Sequence, residues 1–395
     1  MSSVCFYFQV HQPFRLKPYS FFKIGHDHTY EATALNVEII NRVSDLCYLP
    51  ANALMLRLIN KFEGRFKVSY SITGTCLEQL SRHRPDVIES FRKLGETGCV
   101  EFLGETYYHS LAALYSPTEF ERQVKLHQKA IFNLLGKRPK VFRNTELLYQ
   151  NGLAERVQDL GFKMILTEGA TKSIGRESPN QVFTSTTNAV KILARNYGLS
   201  DDIAFRFADP TWSEYPLTAN RFAQWIDALG QKQSVVNLFM DYETFGEHRK
   251  ADTGIFQFME ALPAFILENK SNAFVTPSDL LKTKSSDTAP VFDAPAWTSW
   301  ADADKDASAW TEDNMQRDAF RKLYACEERV LELDRPEVLD IWSKLQTSDH
   351  FYYMSTRYRN DPTHQAFNHY PSPYDAYLNF MNVLSDFRKV IDNKP

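Results

Sequence analysis

Val235-Val236-Asn237-Leu238-Phe239-Met240-Asp241-Tyr242-Glu243-Thr244-Phe245-Gly246-Glu247-His248 is the stretch on which the reading of this chain turns. Its first six residues form an apolar run of strand length, and the run stops at Asp241. Side chains alternate along a strand, so Asn237, Phe239 and Asp241 share one face, with the carboxylate at the carboxyl end. Glu243, Glu247 and His248 follow at once. Like charges crowded at one strand mouth repel, and a fold gains little from placing three carboxylates and an imidazole there. Chemistry does gain from it, because such clusters are how proteins tune acids and bases.

Outward from that strand, the first three quarters of the chain alternate short apolar runs with longer helical patterns. This is the pattern of βαβ units and a parallel sheet. Strands are predicted at Val4–Val10, Lys67–Ile72, Val100–Leu103, Val141–Arg143, Met164–Leu166, Val235–Met240 and Ala273–Val275. Ser116-Pro117-Thr118-Glu119 supplies an N-cap, a proline at the first helical position and a glutamate three residues on, a capping box opening a helix over Phe120–Leu135. Thr276-Pro277-Ser278-Asp279 repeats that logic with aspartate. The fold class is therefore α/β, a closed or nearly closed barrel of about seven strands with its catalytic groups at the strands' carboxyl ends. Between Gly169 and Ala204 the pattern blurs, and an irregular excursion is predicted. Lys282–Pro290, rich in Lys, Ser, Thr, Asp and Pro, reads as a linker. Beyond it, helical patterns at Asp313–Asp334, Pro336–Gln346 and Pro373–Ile391 predict a small bundle packed on the barrel. The chain divides accordingly into 1–282 and 283–395.

Composition removes several classes of function. The 395 residues carry 45 basic and 49 acidic side chains, net −4, with no basic stripe, so neither nucleic acid nor an anionic membrane is an expected partner. The amino terminus lacks a basic region, its apolar run stops at Gln9 and His11, and no stretch is apolar enough to span a bilayer. Cys5, Cys47, Cys76, Cys99 and Cys326 form an odd, scattered set without a C-x-x-C pair and read as reduced thiols, which together predicts a cytoplasmic protein. Phosphate loops, glycine-rich nucleotide turns and a G-x-S-x-G elbow are absent, which removes kinases, dehydrogenases and α/β-hydrolases. The 29 Phe, 19 Tyr and 6 Trp exceed what a core alone suggests and suit a protein that stacks rings on sugar faces.

Polar groups gather at the other strand ends as well. Tyr7, Gln9 and His11 share a face of the first strand, which runs into His11-Gln12-Pro13; His11 suits a substrate hydroxyl or, equally, a structural hydrogen bond. The third strand continues as Glu101-Phe102-Leu103-Gly104-Glu105-Thr106-Tyr107-Tyr108-His109, a segment that reads as lining a site. The fourth ends Arg143-Asn144-Thr145-Glu146, and Glu146 is either a carboxylate facing the mouth or a cap for the helix starting near Asn151. Two carboxylates from different strands, Glu146 and Asp241, meet the need of glycoside hydrolysis: one stays protonated for the leaving oxygen, and the other stays ionised. A metal site is the rival for the same residues, yet H-x-x-x-H, H-E-x-x-H and cysteine pairs are missing, and Gly25-His26-Asp27-His28 is the only dense His/Asp spot. Trp212 in a polar loop, and Trp297, Trp300 and Trp310 among aspartates and serines, are candidates for sugar stacking or for packing the bundle on the barrel.

At these residues the chain resembles glycoside hydrolase family 57, in its α-amylase-type branch. The resemblance runs in order through His11-Gln12-Pro13, Gly98-Cys99-Val100-Glu101-Phe102-Leu103, Phe142-Arg143-Asn144-Thr145-Glu146, Phe239 to His248, and Ser299-Trp300-Ala301-Asp302. It implies a (β/α)7 incomplete barrel followed by a helical region that completes the active site, with no metal or organic cofactor. It implies retention of configuration, Glu146 matching the nucleophile and Asp241 the general acid/base. His11, Gln12, His109, Trp212, Glu243, His248, Trp300 and Asp302 are the substrate-binding candidates. The expected substrate is an α-1,4-glucan or maltooligosaccharide. A 4-α-glucanotransferase or branching enzyme could use the same carboxylate pair; a non-catalytic glucan-binding protein or a metal-dependent deacetylase would not turn over in the same way.

Overall fold

The computed structural model describes residues 3–229, 235–282, 289–357 and 368–392. The predicted linker therefore lies, over 283–288, outside the described residues. Ten strands are found among them: β1 (Ser3–Val10), β2 (Val68–Ile72), β3 (Val100–Phe102), β4 (Val141–Arg143), β5 (Met164–Glu168), β6 (Val182–Ser185), β7 (Lys191–Arg195), β8 (Val235–Asp241), β9 (Ala273–Phe274) and β10 (Val291–Phe292).

β1 is the hub because it is buried on both faces. Phe6 and Phe8 enter a large core shared with the flanking helices, while Cys5 and Tyr7 enter a second core with Leu103, Val141, Met164, Leu166, Leu193 and Phe239. That second core draws side chains from β1, β4, β5, β7 and β8, so strands of two sheets must face a common interior. One sheet runs β3-β2-β1-β8, with β9 also on β1; the other runs β10-β6-β7-β5-β4. The sheets meet on both flanks. Beyond β3, the Gly104 amide donates to the Val141 carbonyl at 2.9 Å and the Arg143 amide to the Gly104 carbonyl at 2.8 Å. A Cβ at Gly104 would sit 2.5 Å from the Phe162 ring, so only glycine allows that approach. On the other flank the Asn196 amide donates to the Asn237 carbonyl at 2.9 Å, and the Asn237 side chain donates to the Ala194 carbonyl at 2.9 Å. Neighbours thus run in the circuit β1-β2-β3-β4-β5-β7-β8 and back to β1.

The segment from Gly169 to Ala204 is not the irregular excursion predicted. It carries β6 and β7, with β7 paired in parallel to β5 and antiparallel to β6. β7 reads Lys-Ile-Leu-Ala-Arg, and its charged ends imitate a loop. Arg195 is in fact buried, paired with Glu168 at 3.2 Å and Asp201 at 2.5 Å. Ala273–Val275, predicted as a full strand, contributes only the two residues of β9. Ser116 caps the helix Pro117–Leu135 by accepting from the Glu119 amide at 3.1 Å, but the capping box is incomplete. The Glu119 carboxylate takes Arg122, Gln123 and Gln346 instead. Past β10, which joins the second sheet beside β6, the helices Asn314–Tyr324, Glu327–Leu333, Pro336–Leu345, Ser348–Tyr352 and Pro373–Asp392 share a core of their own around Trp310, Trp342, Phe351 and Phe380. Among the described residues no helix is long and apolar enough to cross a membrane.

Candidate active site

β4 delivers its chain into a turn in which Glu146 and Leu147 both take left-handed backbone angles, φ 56° and 53°. His109 and Asp302 do the same at φ 51° and 52°. Each such residue costs on the order of 1 kcal/mol, and strain of this kind persists where the surroundings dictate a side chain's aim. The aim here is visible. The Glu146 Oε1 accepts from His109 Nε2 at 2.8 Å, and its Oε2 accepts from Trp300 Nε1 at 2.6 Å. Ser299 Oγ donates to the Glu146 carbonyl at 2.8 Å, and Thr298 bridges Tyr149, so the segment ahead of the helical region grips the turn along its length. Glu146 does not cap the helix Leu153–Asp159, whose first turn has no side-chain cap.

β8 pairs with β1 in a register that sets Asp241 beside Gln9. Gln9 Nε2 lies 3.4 Å from Glu105 Oε1, and Glu105 in turn faces His109. Gln9, paired through the backbone with the end of β8, thus begins a polar chain through Glu105 and His109 to Glu146 at the end of β4. The environments of the two carboxyls differ sharply. Burial alone would raise Glu146, but the hydrogen bond and charge of His109, with the Arg143 cation and the Trp300 indole, outweigh it and hold the group below its ordinary value. Asp241 is pushed up to about 6 by burial and by the negative charge of Glu146, against partial relief from Arg143, His109 and Arg195. Arg143 is fully buried and lies 5.1 Å below the Trp300 ring, with Arg195 at 5.6 Å from the same ring.

The ends of β1 and β8 complete the floor. The His11 ring stacks on His109 with centroids 3.9 Å apart and 27° between planes. His11 Nε2 meets Asp349 Oδ2 at 2.9 Å, its Nδ1 meets the Thr73 hydroxyl at 3.0 Å, and its amide donates to Glu243 Oε1 at 3.2 Å. Tyr48 also donates to that oxygen, at 2.5 Å. Burial, then the nearby Asp241, push the Glu243 carboxyl up to about 8, so it is neutral near pH 7. Gly246 takes φ 109°, and a Cβ there would lie 1.9 Å from the Leu46 carbonyl oxygen, so glycine is what lets this loop close. A separate recess of about 390 Å³, lined by Phe207, Tyr215, Leu217, Phe258 and Phe265 among others, holds no carboxylate, imidazole or guanidinium and lacks the means for acid–base work.

A family model described as Glycosyl hydrolase family 57 matches residues 5–291. The chain belongs to glycosyl hydrolase family 57. It is accordingly a glycoside hydrolase. A relative from Methanocaldococcus jannaschii named "Putative alpha-amylase" is 40% identical over 403 residues, covering 98% of this chain and 84% of that protein. Among solved structures, a GH57-type branching enzyme from Pyrococcus horikoshii superposes with TM-score 0.70 at 14% identity, over 98% of this chain and 88% of that one. The α-amylase AmyC from Thermotoga maritima gives 0.65 at 15% identity, over 99% and 93%. At those identities the two structures speak for the fold alone.

Within this family 57 chain, the residues anticipated from sequence separate into groups. Glu146, His109, His11, Trp300 and Glu243 form one contact network with Glu105 and Asp349, and the Glu146 charge acts on Asp241. Asp302 follows Trp300 by two residues in its left-handed turn. His248 donates its amide to the Glu243 carbonyl at 2.8 Å, and burial pulls its ring down to about 4, so it is neutral. Two further candidates make other contacts. Gln12 braces its own loop, accepting from Arg15 at 3.1 Å through its side chain and from Gln79 at 3.0 Å through its carbonyl. Trp212 packs edge-on against Trp225, with Arg206 over its ring, on the helical layer. At the rival metal spot, Asp27 pairs with Lys17 at 2.8 Å and His28 with Asp386 at 2.8 Å. Asp349 was not singled out in the sequence; its one signal is Thr347-Ser348-Asp349-His350, a polar run inside an otherwise apolar helical pattern.

Proposed function

We propose that this family 57 hydrolase cleaves α-1,4-glucosidic bonds of starch- or glycogen-type glucans and maltooligosaccharides with retention of configuration. In the first displacement a Glu146 oxygen bonds to the anomeric carbon as the glycosidic C–O bond breaks, and the Asp241 proton goes to the departing oxygen. In the second, water gives a proton to Asp241 and its oxygen replaces Glu146 on the anomeric carbon. The observation that carries this reading is the unlike treatment of two carboxyls at one mouth: Glu146 is held ionised by His109 and Trp300 while Asp241 sits at about 6. Pairs pushed apart in this way divide the nucleophile and acid roles between them. The substrate class rests on the 40% identical relative and its name. We also read the strand circuit as a (β/α)7 barrel spanning 1–282, completed by the helical region 283–395 through Trp300 and Asp349. Five buried free thiols support a cytoplasmic setting.

The test is the anomeric form of the first product, read by proton NMR before mutarotation. The α-anomer from an α-linked substrate supports double displacement, and the β-anomer would rule it out. A second reading, transfer to a sugar acceptor, uses the same carboxylate pair, because a sugar hydroxyl can replace water in releasing the glucosyl-enzyme. Maltotriose separates the two: longer oligomers mean transfer, while glucose and maltose alone mean hydrolysis.

A further inference from the structure

His109 stands between two carboxylates. Its Nε2 is 2.8 Å from Glu146 Oε1 and its Nδ1 is 3.5 Å from Glu105 Oε2. A carboxylate only accepts, so a neutral imidazole would turn a lone pair toward one of them; both ring nitrogens must carry protons. The companion ring has no such demand. His11 faces Asp349 through Nε2, but its Nδ1 meets a threonine hydroxyl that can donate. A charged ring thus lies stacked on one that needs a single proton.

Glu105 is fully buried and never reaches the mouth. Its carboxylate faces His109, Gln9 Nε2 at 3.4 Å and Arg143 Nη1 at 3.7 Å. Its amide donates to His127 Nδ1 at 3.3 Å, while His127 Nε2 lies 2.8 Å from the Ile72 carbonyl. The carbonyl requires a proton on Nε2 and the amide requires a lone pair on Nδ1, so His127 is a fixed neutral tautomer bracing the Glu105 backbone. A hydroxyl pair, Thr106 with Thr145 at 2.7 Å, ties the Glu105 turn to the Glu146 turn.

Resting on the reading of Glu146 as nucleophile, we propose that Glu105 is a positioning residue that keeps His109 an imidazolium, so that Glu146 remains an anion before attack and an able leaving group afterwards. Burying an imidazolium beside one carboxylate invites proton transfer and neutralisation; a second, buried carboxylate makes the charged ring the favoured state. The groups facing His109 are Glu105 and Glu146 at its nitrogens and His11 on its ring face, with the Arg143 cation opposing its charge. Burial works against the charged ring, and the two carboxylates more than offset it, holding the group at about 9.

The experiment is nitrogen-15 NMR of histidine-labelled protein at pH 7, combined with steady-state kinetics on a maltooligosaccharide. In the wild type both His109 nitrogens are expected to carry protons. Glu105→Gln keeps the volume and offers a carboxamide N–H to Nδ1, so His109 should become neutral, with its Nε2–H still donating to Glu146. The kcat should then fall about 10- to 100-fold with KM little changed, and Glu105→Asp should recover part of it. A neutral His109 in the wild type would overturn the proposal, and this measurement stands even if the glutamine variant does not fold. A doubly protonated His109 in a folded Glu105→Gln variant, or an unchanged kcat, would also overturn it. An active Glu146→Gln variant with His109 still charged in the wild type would instead sink the nucleophile assignment and leave the Glu105–His109 pair standing.

Discussion

At the end of β4, Glu146 accepts from an imidazole at 2.8 Å and an indole at 2.6 Å, and both donors come from outside its own strand. At the end of β8, Asp241 meets burial and the charge of Glu146, which lift it to about 6. Two residues of one chemical type, delivered by equivalent strand ends, are held on opposite sides of their ordinary values by what surrounds them. The proposed division into nucleophile and acid therefore rests on the neighbours as much as on the carboxyls. The left-handed turn at Glu146 goes with this arrangement, in which its two oxygens reach His109 and Trp300 together.

The comparison can be broken most severely at Glu146. Glu146→Gln should lower kcat by at least about a thousandfold on maltooligosaccharides while the melting temperature stays within a few degrees. Near-normal turnover would remove the nucleophile. Next in size is the pH profile. The proposed double displacement needs Glu146 ionised and Asp241 protonated, so kcat/KM should fall on the alkaline side of a midpoint near 6, about tenfold per pH unit. A flat profile from pH 5 to 8 would contradict the acid assignment. Trp300→Phe keeps the ring and removes the indole donor. It should cost about 10-fold in kcat and move the acidic limb upward, because Glu146 loses one of the groups holding its charge. An unmoved acidic limb would show that the indole only packs.

Glu243 concerns the β8 side alone, and its effect is on stability rather than turnover. Its folded-state value of about 8 lies above the ordinary 4.5, so the folded chain holds a proton that the unfolded chain releases. Its contribution is complete below about 4.5 and is lost as pH rises to about 8, at most about 1.4 kcal/mol per pH unit. Glu243→Gln carries the neutral form at every pH. Its melting temperature should match the wild type near pH 5 and exceed it at pH 8; the opposite ordering would mean that Glu243 is held as an anion.

What could be read in the sequence followed local pattern. β1 and β8 are long apolar runs, so Asp241 and His11 stood at recognisable ends. Glu146 was weaker, because β4 has only three residues and its acid lies beyond the strand, in a turn whose φ no pattern signals. β7 was hidden by its own charges, since a buried Arg195 between Glu168 and Asp201 looks polar until its partners are known. Asp349 is hard to find for a different reason: it meets His11 across 338 residues, and only the short polar run Thr347-Ser348-Asp349-His350 marks its place. Gln12 shows the converse, a polar residue beside the right strand end that turns away to brace its loop.

The most direct test of the central claim is to trap the intermediate. A 5-fluoro-α-glucosyl fluoride slows the second displacement more than the first, and peptide mass mapping then locates the attached sugar. One 5-fluoroglucosyl group is expected, esterified to Glu146, and the glucosyl-enzyme should accumulate in an Asp241→Asn variant supplied with an activated donor. A sugar found on Asp241 or Glu243, or no covalent adduct in an enzyme that still consumes the reagent, would contradict the claim.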